Sequence, residues 1–354
     1  MSAPELRIDQ LTGLRTLLAP GRGERPDAFR PLRTEPVADA AGICPFCEGR
    51  EDRTPPEVWA NRPEGGAADS PGWSQRAVPN LYPALVERDN GGAAADGPLA
   101  SGLSSSADPL GGSTRAGEPE LFRATPAEGA HEVIVSTPRH ATALAGLDPA
   151  ELAGAMAAWR TRLAVHADAA SCLHLIVNEG PNAGASLEHS HAQLYALPFV
   201  PAELARERER HHAYHQRTMG GHLLEDVMVE EVRRRERLVA IDGEAALFCP
   251  WASRSPFELR LVPRSVEARF DRDDRGAELL GRGLRALAEL FGEGGVQLNL
   301  WVRTAPRGTE EFHWHLDIAP RLATKAGFEL GTGVDINVYP PERAAADLRA
   351  VLAG

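Results

Sequence analysis

Two histidines separated by one residue, His189-Ser190-His191, are followed at the same spacing by Gln193. On an extended strand alternate side chains share a face, so these three polar groups are expected to line one surface. The turn just upstream, Asn178-Glu-Gly-Pro-Asn-Ala-Gly184-Ala-Ser186, is built of small residues whose backbone N–H groups and Ser186 hydroxyl suit an anion such as phosphate. An uncharged imidazole nitrogen attacks phosphorus well when its other nitrogen donates to a fixed acceptor that sets the tautomer. The chemistry implied is nucleophilic attack by an imidazole beside an anion pocket.

A second constellation is Cys44-Pro-Phe-Cys47. Thiolates at i and i+3 converge on one ion, and a closed tetrahedral site then needs two more nitrogen or sulfur ligands. His140, which ends Ser-Thr-Pro-Arg-His, and His189 both fall at element ends, so Cys44, Cys47, His140 and His189 are the expected set around a structural Zn2+. The Cys pair precedes no strand–helix unit of thioredoxin type, which argues against a redox dithiol. Cys172 and Cys249 lie in apolar runs and read as core residues.

The elements that must position these groups are legible from residue 131 onward. His131–Thr137 reads as a strand closed by Pro138, 148–167 as a helix opened by Asp148 and Pro149, and Cys172–Asn178 and Leu187–Leu197 as two further strands. A charged helical stretch, 201–237, follows, and its His211, His212 and His215 read as part of a solvated face. Residues 1–60 show little periodicity and read as an irregular, metal-pinned segment. Two stretches, 62–73 and the Gly/Ala/Ser-rich 89–118, read as surface insertions, the second mobile. Trp251, Trp301 and Trp314 are expected in the core or in pocket walls.

The second half repeats this grammar. The Ile134–Arg139 run corresponds to Leu259–Arg264 and Leu175-Ile-Val177 to Leu300-Trp-Val302, both at an offset of 125 residues, while His189-Ser-His191 corresponds to His313-Trp-His315 at 124. The expectation is an α+β protein of two tandem units, 1–200 and 201–354, each a mainly antiparallel sheet with packed helices.

Composition narrows the function. With 38 Lys and Arg against 50 Asp and Glu, the chain carries a net charge of −12, which excludes a surface built to neutralise nucleic-acid backbones. No run approaches the roughly 18 apolar residues of a membrane span, and the N-terminus has no secretion-signal pattern, so a cytoplasmic protein without a membrane partner is expected. Four cysteines in 354 residues are too few for a disulfide scaffold.

The runs NEGPNAGASLEHSHAQLYALP, CPFC, VPNLYPAL and HEVIVSTPRH, with a closing AGFELGTGVDINVYPPERAAADLR, resemble the galactose-1-phosphate uridylyltransferase branch of the histidine-triad superfamily over about residues 40–350. The resemblance implies two histidine-triad-like units in one subunit and a homodimer. It implies that His191 is a nucleophile that takes the nucleotide from a nucleoside-diphosphate sugar, that Gln193 hydrogen-bonds the phosphoryl group, and that Asn178, Gly184, Ser186 and Glu329 contact substrate. The partner substrates would be a nucleoside-diphosphate sugar and a sugar 1-phosphate, with an NDP-sugar phosphorylase, or an idle zinc-stabilised nucleotide-binding protein, as alternatives. Some members hold a second metal on a helix Glu and three histidines; Glu207, His313 and His315 match three of those positions, and no fourth histidine follows Cys249, so that site is expected to be weak or absent. Ser190 stands where sugar-transferring members usually carry Pro, and Phe328-Glu329 where Tyr-Glu is common.

Overall fold

The computed structural model describes residues 3–24, 40–87, 126–292 and 296–354; the stretch 89–118 lies outside them. In chain order the described elements begin with β1 (Glu5–Ile8), β2 (Arg15–Leu18), the short helix α1 (Ala40–Ile43), β3 (Trp59–Asn61), β4 (Gln75–Pro79) and β5 (Ala130–Val135). They continue with α2 (Pro149–His166), β6 (Cys172–Glu179), β7 (His191–Leu197), α3 (Ala202–Thr218), α4 (Leu223–Arg234), β8 (Leu238–Ile241), β9 (Ala245–Phe248) and β10 (Leu259–Pro263). The last are α5 (Ala277–Phe291), β11 (Leu298–Arg303), β12 (His315–Pro320), α6 (Gly327–Thr332), β13 (Asp335–Asn337) and α7 (Pro341–Ala353). No helix among the described residues is long and apolar enough to cross a membrane.

Ten strands form one sheet in the order β3-β4-β5-β7-β6-β11-β12-β10-β9-β8, with every pairing antiparallel. The order reads the same from both ends: β5-α2-β6-β7 on one side is matched by β10-α5-β11-β12 on the other. At the centre Ile176 of β6 faces Trp301 of β11, two residues 125 positions apart, so an approximate two-fold axis passes between them. The β6–β7 and β11–β12 registers agree with the offsets seen in the sequence, since Leu175 pairs with Leu194 and Leu300 with Ile318. One landmark is displaced. Ala192 pairs with Ile134 while Leu316 pairs with Leu261, 127 positions on, so the Pro138/Pro263 match is two residues out of structural register.

The sheet's two faces differ because its central strands alternate strictly. On β6, Leu173, Leu175 and Val177 are buried while His174, Ile176 and Asn178 are half-buried; on β11, Leu298, Leu300 and Val302 are buried while Asn299, Trp301 and Arg303 are half-buried. The apolar face packs on α2 and α5 through Leu152, Met156, Trp159 and Leu163 of the first and Leu279, Leu280, Leu284 and Leu287 of the second, all in one hydrophobic cluster. Helix α2 starts where it does because the Asp148 carboxylate accepts the Glu151 N–H at 2.8 Å, the Glu151 carboxylate accepts the Asp148 N–H at 2.9 Å, and Pro149 occupies the first helical position.

The described residues among the first 60 are more ordered than their sequence suggests. β1 and β2 form a hairpin whose second strand pairs in parallel with β13, tying the start of the chain to its end. Four-residue strands are too short to show a period, which is why they were not legible. Segment 62–73 is pinned rather than loose: Arg62 pairs with Glu57 at 2.6 Å, Asp69 with Arg76 at 2.7 Å, and buried Trp73 donates its indole N–H to Glu51 at 2.7 Å.

Glu179 ends β6 on the buried face and accepts the Leu144 N–H at 2.5 Å; burial pushes its pKa up to about 7. Between the ordinary carboxyl value and that figure the unfolded chain has lost a proton that the folded chain keeps, so stability falls as pH rises through the window. Glu179→Gln should therefore be more stable than the parent at pH 8 by about 3 kcal/mol, with the difference gone by pH 4. Urea unfolding at both pH values measures this; equal midpoints at pH 8 would count against it.

Candidate active site and metal centre

Cys44, Cys47, His140 and His189 come together as the sequence predicts, their ligand atoms all within 4.8 Å of one another. Cys47 Sγ lies 3.4 Å from His140 Nδ1 and 3.7 Å from His189 Nδ1, and Cys44 Sγ lies 3.5 Å from His189 Nδ1. A tetrahedral ion with metal–sulfur and metal–nitrogen bonds of about 2.3 and 2.1 Å sets such ligands roughly 3.6 Å apart. The group therefore fits a metal ion of zinc's size and preferences. His189 Nε2–H donates to the Thr137 carbonyl at 2.8 Å, which leaves the Nδ1 lone pair aimed at the thiols, the orientation a metal ligand needs. Burial lowers its pKa to about 4, holding the ring neutral.

The knuckle is welded to the strands around it. The Glu48 N–H donates to the Pro138 carbonyl at 3.1 Å, Ser190 N–H to Ala141 at 2.6 Å and Ser136 N–H to Ser190 at 3.2 Å. Cys44 and Phe46 pack with Val133 and Val135 of β5 on the sheet face opposite the helices. Strand β7 begins at His191, four residues later than expected, because 187–190 are a loop that carries His189 to the thiols. His189 is thus set by that loop and not by strand alternation.

His191 opens β7 opposite Val135, and its ring meets the edge of Phe46 at 5.2 Å. Its Nδ1–H donates to the His189 carbonyl at 2.7 Å, leaving Nε2 with the lone pair. Burial lowers its pKa, countered in part by that carbonyl, so the ring is held in the neutral form a nucleophile requires. His189, whose Nδ1 faces the two thiols, thus fixes the tautomer of His191 through its backbone carbonyl. Gln193 follows on the same face, flanked by Val133 and Ile176.

Asn178 on β6 is oriented by Asn299 of β11, whose Nδ2 donates to Asn178 Oδ1 at 2.7 Å and to the Ala183 carbonyl at 2.8 Å. The turn beyond needs its glycines: Gly180 (φ 84°) and Gly184 (φ 89°) are left-handed, and a Cβ on Gly180 would fall 2.4 Å from Gln297. The anion cradle expected from this turn is corrected in part. The N–H groups of Ala183, Gly184 and Ala185 close the turn on Gly180 and Pro181 carbonyls, and that of Asn182 donates to Gln297. The exposed Ser186 hydroxyl and the Asn178 amide remain for an anion. Glu329 lies on α6, where its carboxylate accepts the N–H of Ala326 at 3.0 Å and caps its own helix.

The matching face of the other half is closed. His315 repeats the tautomer device, with Nδ1 3.3 Å from the His313 carbonyl, but its Nε2 lies 3.6 Å from Glu207 of α3 and 3.7 Å from Asp317. Arg260 pairs with Asp317 at 2.7 Å and Arg303 reaches Glu207 at 3.8 Å, filling the face with charge. His211 departs from the solvated-face reading: it is fully buried beneath Phe312, while His212 is exposed. Its burial on an otherwise charged helix was hidden because α3 turns Glu207 and His211 onto His315 and Phe312. Cys172, Cys249 and Trp314 are buried as expected; Trp251 is sandwiched by Arg7 and Arg237, and Trp301 stands on the open face. Sequence reasoning missed His131 and Tyr195, whose rings stack at 4.1 Å beside Gln193; strand alternation of Tyr195 with Gln193 was the available signal.

The fold and the site define an α+β protein that carries a His-x-His group beside a Cys2His2 cluster able to hold a metal ion. The family model for the galactose-1-phosphate uridyl transferase N-terminal domain matches residues 101–201. ADP-glucose phosphorylase of Arabidopsis thaliana is 28% identical over 99% of this chain and 93% of its own length. Galactose-1-phosphate uridylyltransferase of Cryptococcus neoformans is 31% identical over 44% of this chain and 43% of its own. The crystal structure of the Arabidopsis ADP-glucose phosphorylase with bound ADP-glucose superposes with a TM-score of 0.73 at 26% identity, covering 98% of this chain and 99% of that one. The resemblance to the galactose-1-phosphate uridylyltransferase family carried by the motifs thus extends to the whole fold.

The metal group makes a direct prediction. The purified protein should hold about one thiophilic ion per chain, and Cys47→Ser should lose it and lower the melting temperature by on the order of 10 °C. Metal analysis with melting curves checks this; undiminished metal in Cys47→Ser would contradict the assignment.

Proposed function

We propose that this protein is a nucleotidyltransferase that works through a covalent nucleotide on His191 Nε2. His191 displaces a sugar 1-phosphate from the α-phosphorus of a nucleoside-diphosphate sugar, and a second phosphate oxygen then displaces the histidine and carries the nucleotide away. The observation that carries this reading is the neutral, 5% exposed His191, its Nδ1 committed to the His189 carbonyl and its Nε2 left with the lone pair on the open face of the sheet. In this reading Gln193 and Asn178 donate to phosphoryl oxygens, the kind of fixed, pre-oriented polar group that stabilises developing charge. Ser186 is proposed to meet the leaving phosphate. Zn2+ is the ion proposed for the Cys44, Cys47, His140 and His189 group, where it would hold His189 and supply no step of the reaction.

For the acceptor we favour inorganic phosphate, which makes the protein an NDP-sugar phosphorylase of the ADP-glucose type. The likeness to ADP-glucose phosphorylase spans nearly the full length of both chains, whereas that to the fungal uridylyltransferase covers under half of either. Uridylyl transfer to a hexose 1-phosphate is the second reading, favoured by the family model over residues 101–201.

Incubation with ADP-glucose or UDP-glucose should give an intact-mass increase of one nucleotide on the parent and none on His191→Ala. Labelling of the variant, or of neither protein by any common NDP-sugar, would refute the covalent route. Phosphate should then discharge the adduct at least about tenfold faster than galactose 1-phosphate. The reverse order would establish the transferase reading.

A further inference from the structure

Gln193 can help a phosphoryl group only with its amide NH2, because the oxygen end of a carboxamide would repel phosphate oxygens. A free glutamine presents either end. Three groups around it decide which end faces outward, and none of them is assigned a role by the motifs.

The first is a backbone amide. Ala84 N–H points at His131 Nδ1 from 3.1 Å, so Nδ1 must accept and the neutral ring of His131 carries its proton on Nε2. That Nε2–H lies 3.1 Å from Gln193 Oε1. The second donor is the Tyr195 hydroxyl, 3.0 Å from the same oxygen. Asn80 Nδ2 also lies 3.1 Å from His131 Nε2, but Asn80 Oδ1 already accepts the Tyr82 N–H at 2.9 Å, so the amide there faces Nε2 with its own hydrogens. The opposite tautomer would satisfy Asn80 and break both the Ala84 and the Gln193 bonds. The tautomer with Nε2–H keeps two bonds of the three.

His131 is well held for this task. It is 8% exposed, sits on β5 directly across from Tyr195 on β7, and stacks on that ring at 4.1 Å with an interplanar angle of 24°. With two donors on Gln193 Oε1, the NH2 end is the one turned to the open face two residues along from His191.

We propose that His131 is a positioning residue for nucleotidyl transfer: its Nε2–H, fixed by the Ala84 amide, locks the Gln193 carboxamide with NH2 toward the reacting phosphoryl group. The role rests on the function proposed above. It gives the segment Val78–Leu85 a purpose, since that segment supplies the amide which starts the chain of orientation.

The test compares His131→Leu, which cannot donate, with His131→Gln, whose amide can donate to Gln193 and accept from Ala84. In single-turnover labelling of His191 by ADP-glucose, His131→Leu should be slowed roughly 10- to 100-fold with its ADP-glucose KM within about threefold of the parent, and His131→Gln should recover most of the rate. In the parent, 15N spectra of labelled histidine should show His131 with a protonated Nε2 and a bare Nδ1; this measurement decides the matter if His131→Leu fails to fold. Labelling of His131→Leu at the parental rate, or a proton on Nδ1, would overturn the positioning role while leaving the covalent route intact. Absence of labelling in the parent itself would overturn both.

Discussion

The structure of the site depends on one imidazole, His189, being held at three points. Its Nε2–H is tied to the Thr137 carbonyl, its Nδ1 faces two thiols, and its own carbonyl accepts the Nδ1–H of His191. A side chain fixed at both ring nitrogens cannot rotate, and the backbone that carries it cannot swing. The carbonyl that sets the tautomer of His191 is therefore held with the Cys44, Cys47, His140 and His189 group. Rigid support would matter for the transfer we propose, because reacting atoms must sit close to contact distance and in line, and a displacement of about 1 Å is costly in rate. The knuckle adds a second restraint through Phe46, whose edge meets the His191 ring from the opposite sequence neighbourhood.

How much of this was legible follows from the range over which each signal acts. The Cys-x-x-Cys pair and the capped helix at Asp148 are local patterns that the structure assembles as their spacing requires, and of the His-x-His-x-Gln run His191 and Gln193 share a strand face while His189 lies in the loop before it. The four metal-group residues were reachable because ligand chemistry restricts the choice to a few residue types at element ends. What failed to show are contacts between distant segments. The β1–β2 hairpin gains its order from β13, more than 300 residues later, and Trp73 anchors a glycine-rich stretch by reaching Glu51. The amide groups of the 180–185 turn looked available for an anion because the sequence shows neither the tight closure nor Gln297 beside it. His211 looked solvated because its neighbours are charged; a helix shows which residues share a stripe, but not which stripe another strand will cover.

The approximate two-fold explains why so much of the frame appears twice and the reactive face only once. Both halves bring a His-x-His onto a sheet face, and both use the first histidine's carbonyl to face Nδ1 of the second, at 2.7 Å in one half and 3.3 Å in the other. Beyond that the halves part. On the first, β7 is flanked by the small knuckle, and Gln193, Ile176 and Trp301 stay partly open. On the second, α3 lies across β12 and the face is filled by Glu207, Arg260, Arg303 and Asp317.

That filling has its own physical logic. A buried histidine beside two carboxylates would take up a proton and lose its lone pair unless the carboxylates were answered. Arg260 holds the Asp317 carboxyl well below its usual range despite complete burial, so Asp317 stays charged, while burial raises Glu207 to about 7. The burial of His315 outweighs the attraction of Asp317 and holds its pKa well below the ordinary value. The second histidine is thus neutral like the first, with the Arg260–Asp317 and Arg303–Glu207 pairs around it. Removing one member of the Arg260–Asp317 pair would leave an unanswered buried charge, a cost of several kcal/mol. The open face has the opposite construction. Its polar groups are held in orientation by neighbours behind or beside them, His189 behind His191, Asn299 beside Asn178, and His131 with Tyr195 beside Gln193, and each leaves one end turned outward. A sheet that carries both arrangements separates two tasks that compete in a single site, since one half is a charge-sealed support and the other is a surface of oriented, half-satisfied groups. Groups turned outward can be met by water or by a ligand, and on the first half of this sheet they stand where we propose that a phosphoryl group is received.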